Sequence, residues 1–115
     1  VLPLFDGKIF LTGGTGKNDA WTSSDGTTWN EATASAPWAQ RDRFGIVSGT
    51  SSTTVIIYGG HTSGGENDVW ASNDAGATWT QKTSNAPWIE RWAVGYAGTT
   101  DSMLILGGNT ASGFK

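Results

Sequence analysis

A chain of 115 residues with a formal net charge of -3 is long enough for one small domain and carries no basic footprint for nucleic acid or an anionic membrane. Its 17 Gly and 7 Trp, with abundant Ser and Thr and few Leu, Lys or Glu, favour strands and turns over helices. It has no Cys, which excludes disulfides and thiolate metal sites, and no apolar run reaches the ~20 residues of a membrane-spanning helix, so membrane insertion is not expected.

In chain order, residues 2–5 are expected to end a strand, with Asp6-Gly7 as a tight turn. Residues 8–13 form the next strand and stop at Gly13-Gly14. Residues 18–23 and 27–32 form a hairpin around Asp25-Gly26. A second unit repeats the series at 43–48, 54–58, 68–72 and 77–82, and a third opens at 92–97 and 103–107. Gly49 to Thr53 and Thr99-Thr100-Asp101 take the place of the short Asp-Gly turn in these later units. No segment has helical periodicity.

The period is visible in fixed landmarks. Gly13-Gly14, Gly59-Gly60 and Gly107-Gly108 each follow an apolar run, at intervals of 46 and 48. Trp21 returns as Trp70, Trp29 as Trp79, Ala36-Pro37-Trp38 as Ala86-Pro87-Trp88, and Arg41 as Arg91. Four short strands per repeat of roughly 40–50 residues is the pattern of a β-propeller blade. The expected fold is therefore all-β: a β-propeller segment of about two and a half four-stranded antiparallel blades. Blade 1 spans about 1–33, blade 2 about 43–83, and blade 3 begins over 92–115. A closed ring takes roughly 4–8 blades. The remaining blades are expected from the same longer chain, or from other copies of this one.

The run Phe5-Asp6-Gly7-Lys8-Ile9-Phe10-Leu11-Thr12-Gly13-Gly14, followed by Asn18-Asp19-Ala20-Trp21 and Trp29, resembles a kelch repeat. Ser72-Asn73-Asp74-Ala75-Gly76-Ala77-Thr78-Trp79 resembles the Asp-box, S-x-D-x-G-x-T-W, and Ser24-Asp25-Gly26-Thr27-Thr28-Trp29 is a version one residue shorter. Such boxes lie on blade hairpins of sialidase-like and related secreted glycosidase propellers. The resemblance implies a folding element away from any catalytic centre, and an extracellular or cell-surface setting. Locally, Asp74 is expected to accept backbone N–H groups in its own turn, Gly76 to take a positive φ, and Trp79 to bury its ring.

Candidate site residues are few. His61 is the only His and stands on a loop after Gly59-Gly60, so neither a metal site nor any other cofactor is expected. Arg41 and Arg91 repeat and are expected to bond backbone carbonyls of the adjacent blade. Arg43 has no repeat partner, because Ala93 takes its place. Trp38 and Trp88, in the Ala-Pro-Trp loops, are expected either to fill the seam between blades or to stack on a sugar or a protein partner. The candidate binding residues are thus His61, Arg43, Trp38 and Trp88. Gly13, Gly14, Gly59, Gly60, Gly107, Gly108, Trp21, Trp29, Trp70, Trp79, Asp74, Arg41 and Arg91 belong to the repeat framework. With no catalytic set visible, the expected function is a protein- or glycan-binding or structural module. The alternatives are a piece of a propeller glycoside hydrolase with its catalytic residues elsewhere, or an intracellular kelch adaptor.

Overall fold

The computed structural model describes residues 2–3, 7–49, 51, 53–98 and 102–114. Residues 4–6 and the replacement turn at Thr99-Thr100-Asp101 lie outside these, as do Thr50 and Ser52 of the turn before residue 54. The architecture is all-β, built of antiparallel sheets that do not close on themselves. Among the described residues there is no helix, hence none long and apolar enough to cross a membrane.

Strands β1 (Leu2–Pro3), β2 (Ile9–Thr12), β3 (Ala20–Ser23) and β4 (Asn30–Thr33) form the first sheet in sequence order. Strands β5 (Gly45–Ser48), β6 (Val55–Tyr58), β7 (Val69–Ser72) and β8 (Thr80–Thr83) form the second in the same order. Strands β9 (Gly95–Gly98) and β10 (Met103–Leu106) make a third, two-stranded sheet. A short hairpin follows, β11 (Asn109–Thr110) with β12 (Gly113–Phe114). Within each sheet, strands adjacent in sequence pair with each other, and the longer connections after β4 and β8 carry the chain to the next sheet.

The fourth strand of each full sheet starts later than the sequence suggests, at Asn30 and Thr80. The cause is the turn before it. Ser72 Oγ accepts the Gly76 N–H at 2.8 Å, and Asp74 Oδ1 accepts the Thr78 N–H at 2.8 Å. Trp79 Nε1 donates to Gly76 O at 3.0 Å, so the turn keeps the chain through the tryptophan. Ser23, Asp25, Gly26 and Trp29 build the same turn, with Asp25 Oδ1 accepting the N–H groups of Thr27 and Thr28. Those two N–H groups hold the Asp25 carboxyl down to about 2. Gly76 has φ +89, and its turn packs under Phe10 so closely that a Cβ there would lie 2.6 Å from the ring.

Alternation along the strands sorts the core into two seams. Val55 and Ile57 face the first sheet and are fully buried with Phe10, Ala20, Trp38 and Ile46. Val47 and Tyr58 face the third sheet and pack with Val94, Ile56, Val69, Trp88 and Ile105. Each fully buried Val, Ile or Phe contributes about 1.5–3 kcal/mol relative to exposure. Burial raises the Tyr58 hydroxyl to about 12, and it donates across the second seam to Leu104 O at 3.3 Å. The leading strands lie side by side, β1 beside β5 and β5 beside β9.

The glycine pairs let each sheet accept the loop of the next unit. Gly14 N donates to Arg41 O at 2.9 Å, and Gly60 N to Arg91 O at 3.0 Å. A Cβ on Gly59 would sit 2.9 Å from Arg91 O, so the loop passes against bare backbone. Arg41 is buried at 1% exposure, bonds Gly59 O at 3.0 Å, and grips both oxygens of Asp68 at 2.5 and 2.8 Å. Burial alone pushes the Asp68 carboxyl up, but the bonds from Arg41 and Trp70 outweigh it and the group lies below its usual range.

Candidate ligand-binding cleft

The loops at residues 13–19 and 34–44 leave the same end of the first sheet and are laced together. Ala36 N donates to Asn18 O at 2.8 Å, and Arg41 N to Lys17 O at 3.3 Å. The loop after Gly59-Gly60 joins them from the second sheet, where Asp42 and His61 exchange both backbone bonds, at 3.0 and 2.9 Å. Between these loops lies a cleft of about 220 Å³, lined by Thr15, Gly16, Gln40, Asp42, Arg43, His61 and Thr62, with Arg41 below.

Asp42 is the centre of this cleft. Thr15 Oγ1 donates to Oδ2 at 2.8 Å, Arg43 Nε donates to Oδ1 at 3.0 Å, and His61 Nδ1 is 3.9 Å from Oδ1. The Thr15 hydroxyl and then Arg43 hold the Asp42 carboxyl below its ordinary range. The His61 ring meets Trp92 edge-on, with centroids 4.9 Å apart. Thr62 Oγ1 donates to Glu66 Oε1 at 2.7 Å, which steadies the far wall.

Arg43 stands with φ +52, a region non-glycine residues rarely occupy. Ala93 has φ +53 at the equivalent place, and its N–H donates to Arg43 O at 2.8 Å. The turn therefore demands the backbone shape in both units, but not the guanidinium. Arg43 Nε is engaged on Asp42, and its side chain, lining the cleft, is 52% exposed.

The structure brings two of the four candidate binding residues together, Arg43 and His61. Trp38 is elsewhere: it is 1% exposed in the first seam, edge-on to Trp79 at 5.7 Å, with Arg41 over its ring at 5.9 Å. Trp88 is half-buried in the second seam, beside Tyr58, Val69 and Ile105. Asp42 and Thr15 are the residues that sequence reasoning missed. A signal for Asp42 was present, since Arg41-Asp42-Arg43-Phe44 faces Arg91-Trp92-Ala93-Val94 in the next unit, and both Asp42 and Arg43 break the repeat. Comparison with known proteins finds no protein-family model and no curated protein that matches this chain.

Proposed function

We propose that this chain is a segment of a kelch-like β-propeller in a larger secreted or cell-surface protein, acting as a glycan-binding module through the cleft around Asp42. The observation that carries the proposal is the convergence of Asp42, Arg43, His61 and Thr15 from three loops, with Asp42 and Arg43 at positions where the repeat changes residue. The stacked sheets, with their leading strands adjacent, are the support for the propeller: this is how blades pack around an axis.

The chemistry favours a hydroxylated ligand. Asp42 accepts, Arg43 donates, and the Thr and Gln side chains do both, which matches sugar hydroxyls that are donor and acceptor at once. Opposite charges share the cleft, so it offers little to a strongly ionic partner. At about 220 Å³ it is smaller than the ~300 Å³ at the lower end of typical ligand pockets, and suits a single sugar unit of a longer chain.

A glycan array probed with the protein tests this. Binding to a defined set of glycans is expected, reduced at least tenfold by Asp42→Asn and by Arg43→Ala and unchanged by Lys82→Ala on the distant β8. No binding to any glycan, or binding that survives both cleft substitutions, refutes the proposal.

A further inference from the structure

Trp21 returns as Trp70, Trp29 as Trp79 and Trp38 as Trp88, but Trp92 has no counterpart, because Asp42 stands at its place in the preceding unit. The backbone around the two is alike. Asp42 exchanges both backbone bonds with His61, and Trp92 exchanges both with Asn109, at 3.0 and 2.8 Å. The residue that follows has a positive φ in each case, +52 at Arg43 and +53 at Ala93. One loop shape therefore carries a carboxylate in one unit and an indole in the next.

His61 links the two positions. Its Nδ1 is 3.9 Å from Asp42 Oδ1, and its ring centre is 4.9 Å from that of Trp92. Those distances are short enough for two linked sugar rings to reach from Asp42 to Trp92. The indole is held without being enclosed. A Cβ on Gly65 would lie 3.1 Å from Trp92 Cε3 and Cζ3, so bare backbone packs against the six-membered ring. Yet Trp92 is only half-buried, unlike the buried Trp38. Carboxylates flank it. Arg91 N donates to Glu66 O at 3.1 Å, which brings Glu66 beside this segment, and Glu90 is exposed on the same loop as Trp92.

We propose that Trp92 forms a second sugar subsite, one repeat step round from the Asp42 cleft, that takes a neutral hexose with equatorial hydroxyls. This rests on the reading of the cleft as a glycan site. The faces of such a hexose are C–H groups, and laying one on an indole removes apolar surface from water. The next sugar in the chain sets its hydroxyls among Asp42, Arg43 and Thr15. The carboxylates of Glu66 and Glu90 repel a sialic or uronic acid at the Trp92 end. A β-1,4-linked glucose chain, with every hydroxyl equatorial and no charge, fits both ends.

Isothermal titration with glucose and cellobiose tests it. Cellobiose is expected to bind the wild type on the order of tenfold more tightly than glucose. Trp92→Ala is expected to abolish that gain, whereas Asp42→Asn is expected to weaken the binding of both sugars. An absence of gain in the wild type overturns the proposal, and so does a gain that survives Trp92→Ala. Equal weakening of both sugars by Trp92→Ala is the mark of a ring that only props His61, and it also overturns the subsite. Should circular dichroism show that Trp92→Ala is unfolded, Trp92→Asp carries the same test, since the equivalent turn already holds Asp42. If neither sugar binds while a glycan array still shows binding that Asp42→Asn removes, the Trp92 subsite falls and the cleft reading stands. An array blank for every glycan removes both.

Discussion

Arg41 and Asp68 come from different repeats, and both are buried. Removing one partner of such a buried pair leaves the other charge uncompensated, at a cost of about 3–5 kcal/mol. Arg41→Met is therefore expected to lower the urea midpoint strongly. Arg91→Met, at the equivalent but more exposed position, is expected to cost under about 1 kcal/mol, and equilibrium denaturation of the two variants checks the contrast. The pair also sets an acid limit. The Asp68 carboxyl is lower in the folded chain than its unfolded value of about 3.9, so its stabilisation is complete above that value and is lost as pH falls through the folded one. Denaturation midpoints measured from about pH 5 down to about pH 2 should fall for the wild type, and fall less steeply for Asp68→Asn, which starts lower.

The Ser-Asp-Gly-Trp turns show what an element needs beyond its hydrogen bonds. Gly26 and Gly76 share a positive φ, of +75 and +89, but only Gly76 is covered by the Phe10 ring. Gly26→Ala is expected to cost about 1 kcal/mol for the backbone alone. Gly76→Ala adds the overpacking of a core ring that cannot move, about 1–3 kcal/mol more, and thermal or urea melts of both variants measure the difference. Much of the strand order was readable because glycine pairs, Asp turns and tryptophans recur at nearly fixed spacing. The start of β4 and β8 was not, because the turn's side-chain bonds extend to Trp29 and Trp79, and spacing does not show hydrogen bonds. The β11–β12 hairpin was missed because strands of two residues leave no alternation to detect. The Arg41–Asp68 pair was hidden for a different reason: repeats reveal equivalent residues, Arg41 with Arg91 and Asp19 with Asp68, and not which copy each one touches. At the cleft, Arg43 was singled out as a break in the repeat and His61 as the only histidine, while Asp42, the group on which they converge, was not.

Over the whole molecule, protection is unequal. Ile46 and Val47 in β5 are buried between two sheets, while Tyr96 and its neighbours in β9 are exposed along the whole strand. Amide hydrogen exchange in dilute protein is expected to be slow through β5–β7 and orders of magnitude faster through β9–β10, since local opening there uncovers little apolar surface. Uniform protection across the three sheets would contradict the packing described.

The Arg41–Asp68 bond has one more consequence, for how such a chain lengthens. Arg41, at the end of the first unit, reaches Asp68 in the unit after it, and Arg91 reaches Gly107 O of the third unit as Arg41 reaches Gly59 O of the second. A duplicated unit inserted in the middle therefore receives one arginine and hands on another, and no charge is stranded. Gene duplication in whole periods preserves the Arg41–Asp68 pairing, whereas an insertion of half a period breaks it. The number of repeats is free to vary between descendants while the seam between any two of them stays the same.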